Sequence, residues 1–499
     1  MTLSPWAFLT VTVRLTNSIT QGLPKLHTRP TIWAILLRVG CPDGRIQLEN
    51  PMNRVAVITL GSLLVTACGQ SESPAPPMPA DRIIHCGAMI DGVSNEVLSQ
   101  RSIVIRDHRI TQISSESPAQ VVDAEILDLS DYTCLPGLID MHVHVDGIPE
   151  DFDDYTIYLR RTPEEAKALA AKLGKIILDS GFTTVRNVGT YQAWVARDLR
   201  DQIDAGDVIG PRIRFAGPYL TIPHGGGDMY IPGVDDSEIP DSFRMGVARG
   251  ADEFRAAAKA NVDGGADFLK IIASGAVFGY GGVPGAPEMT PEEIQAVVDV
   301  AKAAGIKVTA HAHSAESIKD AILAGVDSIE HASLGDDESI ALAIEHDVAF
   351  SMDVYNGTYT AEVGEAHGYA AEFMQKNEDT TEAQRVVFRK ALDAGVTLMF
   401  GTDLGVLPHH LGAKQFAEMV KHGMDPMHVI QSATSIPANH MGLESDVGAL
   451  IAGRYADIVA VRGNPADDIT LLQNVSFVIK GGEVINRQRE PTTTDAHTE

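Results

Sequence analysis

The stretch "PGLIDMHVHVDG" sets His142 and His144 two residues apart at the end of an apolar run. Alternate side chains of a β-strand share a face, so both imidazoles point one way while Val143 packs behind them. That spacing suits a two-point metal clamp. The plain alternative is a half-buried polar pair at a sheet end, and the rest of the chain has to decide between them.

Further candidates sit in similar positions. Lys270 lies inside the apolar "DFLKIIASG". An unpaired buried ammonium costs several kcal/mol or gives up its proton. A neutral amine can add carbon dioxide, and the resulting carbamate is an anionic ligand with two oxygens, able to bridge two metals. "TAHAHS" places His311 and His313 on one side, with His311 the expected ligand and His313 lining the pocket. His331 stands in "SIEHAS", where alternation puts Glu330 on the opposite face, packed between strand and helix layers. Asp403 follows an apolar strand in "FGTDLG".

The elements that must position these residues alternate regularly. Strands are expected at 138–145, 183–189, 211–217, 268–274, 307–313, 328–333, 349–354 and 396–405. Amphipathic stretches such as "PEEAKALAAKLGKIILDSG", "TPEEIQAVVDVAKAAG" and "SAESIKDAILAG" separate them, opening on Pro, Ser or Thr and closing on Gly. Eight strand-helix alternations predict an α/β fold, a TIM (β/α)8 barrel, whose functional residues gather at the C-terminal ends of the strands. Short alternating runs on both sides, "RSIVIRDHRITQI" early and "GRYADIVAVRG" late, predict a small composite β-sandwich built from both ends of the chain. Long segments after two barrel strands, 218–250 and 355–384, are expected lids or substrate walls.

Composition narrows the partners. The chain has 39 Lys and Arg against 67 Asp and Glu, a net charge of -28, which argues against binding a phosphate backbone. Residues 1–51 differ, with five basic residues against two acidic ones. From Met52, "MNRVAVITLGSLLVTAC" has a basic start, a short apolar run and small residues before Cys68, the anatomy of a signal peptide. "VTAC" resembles a bacterial lipobox, so Cys68 is the expected lipidation site. The expected order is therefore an extension without a folded role (1–51), a signal peptide with lipobox (52–68) and a Pro/Ser-rich linker (69–80). The first sandwich part (81–135), the barrel (136–442), the second sandwich part (443–490) and a disordered tail (491–499) follow. Cys86 and Cys134 fall in strands of the sandwich, where two inert buried thiols are expected rather than a pair.

The motifs "LPGLIDMHVH", "FLKIIASG", "VTAHAHSAESIKDAILAGVDSIEHAS", "FGTDLG" and "GRYADIVAVRGNPADDI" resemble the amidohydrolase superfamily over about residues 81–488. The chain is most similar to the imidazolonepropionase-like branch, which includes Xaa-Pro dipeptidases and ochratoxinase-type carboxypeptidases. The resemblance implies two divalent ions, usually Zn2+. His142, His144 and Asp403 would hold one, His311 and His331 the other, and N6-carboxylated Lys270 would bridge them. It also implies a hydroxide shared by the ions, with Asp403 as the catalytic acid/base.

The expected function is hydrolysis of an amide bond in Xaa-Pro dipeptides or N-acyl amino acids. The alternatives are a cyclic amide, lactone or phosphotriester on the same site, or a non-catalytic binding lipoprotein. His224, Tyr355, His409 and His313 are the expected substrate contacts, while Arg186 and Arg214 lie further down their strands without an assigned partner. The expected partners are a small-molecule amide or dipeptide and a membrane reached through the lipid anchor, with no nucleic acid; homo-oligomeric assembly is left open. The expected location is exported, in the periplasm or at the outer membrane of a bacterium.

Overall fold

A computed structural model describes residues 81–116 and 123–487. The extension, signal peptide, Cys68, linker and tail all lie outside the described residues. Four strands come first: β1 (Arg82–Ile90), β2 (Val97–Arg106), β3 (Arg109–Ser114) and β4 (Glu125–Pro136). Eight more follow: β5 (Leu138–Val143), β6 (Phe182–Asn187), β7 (Arg212–Phe215), β8 (Phe268–Ile272), β9 (Lys307–Ser314), β10 (Ser328–Leu334), β11 (Ala349–Ser351) and β12 (Leu398–Met399). Three end the described chain: β13 (Ile458–Arg462), β14 (Phe477–Lys480) and β15 (Glu483–Arg487).

The eight central strands form two parallel sheets, ordered β12-β11-β10-β9-β8 and β5-β6-β7. Backbone bonds join these sheets at both edges. At one seam Met141 N donates to Phe400 O and Asp403 N to His142 O, each at 2.9 Å. At the other, Asp267 N donates to Phe215 O (2.9 Å) and Ile272 N to Leu220 O (3.0 Å). Strands covered on both faces are largely apolar, and "LIDMHV" and "FLKII" are buried at every position, their polar members Asp140, His142 and Lys270 included.

The connecting helices start and stop where their sequences say. Thr162 caps the helix Pro163–Asp179 and Thr290 caps Pro291–Ala304, each in a capping box with Glu three residues on. Gly305, Gly325 and Gly395 end their helices in the left-handed conformation. These short, defined joints bring each strand back parallel to the last, so the strand ends that carry functional side chains gather on one side.

The outer strands, from both chain ends, join in one seven-stranded sheet, β15-β14-β13-β4-β1-β2-β3. Its own core includes Ile84, Met89, Ile103, Leu129 and Ile479. Cys86 and Cys134, expected as separate thiols, instead form a disulfide with Cα atoms 5.9 Å apart. A register shift is the reason: Cys86 pairs with Leu129, yet Ala88 pairs with Thr133. The bulged segment of β4 thereby carries Cys134 back beside Cys86. Gly87 lies beneath that bulge, where a Cβ would stand 2.0 Å from Ser130 O. No helix among the described residues is long and apolar enough to cross a membrane.

Candidate active site

Five imidazoles and a carboxylate converge at the end of β5, in β9 and β10, and just beyond β12. His142, His331 and Asp403 place ligand atoms within 4.8 Å of one another, and His311, His313 and His331 do the same. His331 belongs to both groups. Its ring centroid is 4.9 Å from that of His142 and 4.6 Å from that of His311. Lys270, buried at 2% exposure, lines the same cavity.

Hydrogen bonds on Nδ1 turn Nε2 toward the centre in four of the rings, whereas His311 has its Nε2 3.4 Å from Gly275 O. His142 Nδ1 meets Glu330 Oε2 at 2.8 Å, while its Nε2 stands 3.3 Å from Asp403 Oδ1. His144 Nδ1 donates to Gly189 O at 2.9 Å, and its Nε2 is 3.2 Å from the same Asp403 oxygen. His331 Nδ1 lies 2.9 Å from Asp353 Oδ1, and His313 Nδ1 lies 2.9 Å from Ser333 Oγ. A proton held on Nδ1 by an outer acceptor leaves the Nε2 lone pair free to ligate. Gly189 serves this arrangement at φ 133°, where a Cβ would fall 2.4 Å from the Tyr219 ring.

Charge is tuned in the same direction. Burial lowers the Lys270 ammonium to about 8, against the opposing pull of Glu330 and Asp403. Burial, and then the neighbouring His331, lowers His313 to about 3 and pushes His311 well below its ordinary value, so both rings are neutral. For Asp403 burial works upward, but the charge and hydrogen bonds of His142 and His144 hold it well below the usual carboxylate range. His311 and His313 therefore offer neutral nitrogens and Asp403 an ionised oxygen, donor types that divalent zinc accepts.

Two of these residues have left-handed backbones, His331 at φ 69° and Asp403 at φ 58°. Such conformations cost on the order of 1–3 kcal/mol each and cluster where function needs them. Ala332 follows at φ 50°. This break corrects the expectation for Glu330. The carboxylate is fully buried among the parallel strands, held by Arg186 and Thr309 as well as His142, and the chain turns at His331 so that its imidazole also reaches the cavity.

The cavity is walled by Phe152, Tyr158, Tyr191, Tyr219 and Phe278 on one side. The helix Ala371–Ala394 contributes Asn377, Thr380, Thr381 and Gln384 on another. Of the expected substrate contacts, His313 lines the cavity. His224, Tyr355 and His409 stand outside the lining. His224 is half-exposed and faces Asp236 at 3.1 Å, its φ of 60° turning it along the surface loop. Tyr355 is buried beneath the helix Asn356–Val363, and its amide donates to Gln415 Oε1. His409 packs behind the site and donates from Nε2 to His144 O at 2.8 Å.

Sequence reasoning passed over Asp353, Asn356 and Gln384. Asn356 Nδ2 donates to both Asp353 Oδ2 and Asp403 Oδ2 at 3.1 Å, and Gln384 Nε2 donates to Asp353 Oδ1 at 2.8 Å. An Asp closing the apolar "AFSMDV" was the available signal for Asp353. Arg186 and Arg214, seen from sequence without partners, pair with Glu330 and Asp267 respectively.

Comparison with known proteins agrees with this geometry. Residues 133–485 match the Amidohydrolase family. Ochratoxinase of Aspergillus niger is 29% identical over 423 residues, covering 81% of this chain and 86% of that protein. The crystal structure of a Xaa-Pro dipeptidase with methionine bound in its active site is 37% identical, with a TM-score of 0.75 over 82% of this chain and 100% of that one. A prolidase complexed with N-methylphosphonate-L-proline is 27% identical, with a TM-score of 0.76 over the same shares. The chain belongs to the amidohydrolase family and is a hydrolase acting on amide bonds.

Proposed function

We propose that this protein is a binuclear metal-dependent amidohydrolase that cleaves the amide bond of Xaa-Pro dipeptides or N-acyl amino acids. The observation that carries the reading is the pair of three-residue donor groups sharing His331. The donor chemistry fits two divalent cations: His142, His144 and Asp403 would hold one, His311 and His331 the other, with His313 beside them and carboxylated Lys270 between. When bound, such ions supply Lewis acidity and lower the pKa of water to about 7.

The chain's own residues do the rest. Asp403 starts as a carboxylate, accepts the proton of the attacking water and delivers it to the leaving nitrogen. Asn356 holds Oδ2 of Asp403, leaving Oδ1 turned toward the imidazoles. The tyrosines and phenylalanines of the wall seat an apolar side chain and thin the water around the scissile bond. In this reading the eight parallel strands close a (β/α)8 barrel set into a composite sandwich, a view supported by the two hydrogen-bonded seams.

We also infer export to an oxidising compartment and a membrane tether through Cys68. The Cys86–Cys134 disulfide supports export, since such bonds persist outside the cytosol. Mass spectrometry of protein from its own host should find a lipid on Cys68 at the mature N-terminus; an unmodified Cys68 within an intact leader would refute the tether. The activity is tested by a panel of dipeptides and N-acyl amino acids, with a lactone and a phosphotriester included, using zinc-loaded protein. Turnover of an amide substrate is expected, and turnover of the lactone or phosphotriester alone would overturn the reading.

A further inference from the structure

A second cavity, sharing no residue with the first, opens where β8, β9 and β10 begin, at the opposite end of the strands from the imidazoles. Arg186, Arg214, Lys307 and His440 line it, and Asp267 is the carboxylate that lines it among the described residues. Arg214 pairs with Asp267 at 2.6 Å, and Lys307 stands 4.0 Å from Asp327. Arg214 and Lys307 remain substantially exposed at the rim, whereas Arg186 is buried at the back.

Two sets of donors are left over. A guanidinium has five N–H groups, and Arg186 directs one each to Met141 O, Ser328 Oγ and Glu330. His440 Nε2 is buried and has no hydrogen-bond partner among the described residues. Buried polar atoms are normally satisfied. An apolar occupant would leave these donors unmet, and a cation would be repelled by three positive side chains. A water could meet one donor but would bring no charge to Lys307, whose ion pair with Asp327 is as long as 4.0 Å.

We propose that this cavity is a binding site for a small oxyanion, a carboxylate or a phosphate, whose oxygens accept from Arg186, Lys307 and His440 Nε2–H. Such a ligand matches the planar donors of Arg and the point charge of Lys. Burial, and then Arg186 and Lys307, hold the His440 imidazole at about 3. A bound anion offsets those two cations and favours the protonated ring.

The test uses the full, metal-loaded chain with isotope-labelled histidine, its His440 signals assigned by their disappearance in His440→Leu. Inorganic phosphate, acetate and sodium chloride are titrated at matched ionic strength. The His440 signals should shift saturably with phosphate or acetate, the stronger of the two identifying the oxyanion, and not with chloride. Lys307→Ala, at a half-exposed rim position, should raise the required concentration about tenfold, the loss of one charged contact. Signals unmoved by both oxyanions, moved equally by chloride, or unaffected by Lys307→Ala would overturn the proposal. Because the readout is His440 itself, anion binding among the metal ligands does not register as success.

Discussion

His142 and Glu330 lie 188 positions apart in sequence and meet at 2.8 Å, Nδ1 to Oε2, both of them buried. Burial works to raise the Glu330 carboxyl, but Arg186 and His142 hold it well below the usual range, so it stays ionised and keeps the proton on His142 Nδ1. Glu330→Gln removes that charge. Metal affinity should fall by about 10- to 100-fold, as for other partners that orient ligating histidines. Competition with a chelating dye checks it; unchanged affinity would mean that His142 is not a ligand. Glu330→Ala also strands the Arg186 guanidinium and should cost about 3–5 kcal/mol in a urea unfolding curve.

Asp403→Asn keeps a side chain of the same shape but cannot accept the proton. Turnover of any cleaved amide should drop by about 10²- to 10⁴-fold, the usual scale of general acid–base catalysis. Circular dichroism should show the fold unchanged. A near-normal rate would remove Asp403 from the proton-transfer role.

Carbamate formation at Lys270 needs the neutral amine, whose share grows as pH rises through about 8. Metal-free protein exposed to 13C-bicarbonate and then zinc should therefore regain activity more fully near pH 8.5 than near pH 6.5. A carbamate carbon signal should accompany recovery and be absent from Lys270→Ala. Equal recovery at both values without bicarbonate would count against a modified lysine.

The disulfide closes a loop between positions 48 apart. Chain-entropy arguments give about 4 kcal/mol for a loop of that length. Cys86→Ser with Cys134→Ser should lower unfolding stability by up to that amount while leaving activity per folded molecule unchanged, because the bond lies in the seven-stranded sheet and not at the cavity. Denaturant curves and specific activity read the two effects separately.

The candidate ligand residues stood out in the sequence because a polar residue in or closing an apolar strand has few structural reasons to be there. His142, His144, His311, His331 and Asp403 carried that mark, Lys270 stood inside its apolar strand, and the structure brings all six to one cavity. Glu330 was misplaced because alternation fails where His331 and Ala332 turn left-handed, a backbone event that residue types do not announce. The cysteine pair was hidden by a register shift between β1 and β4, since pairing depends on offset rather than on spacing along the chain. The polar wall from the helix Ala371–Ala394 was out of reach because a long insertion can return to the cavity along many paths. His224 and Tyr355 illustrate the same limit: both follow the right strands, and their loops carry them elsewhere.

The most direct test of the central claim is the rate of amide hydrolysis as a function of bound divalent metal per chain, measured on protein stripped by a chelator and refilled in steps. The account predicts no turnover in the stripped protein and a maximum at two ions. Full turnover in the stripped protein would contradict it.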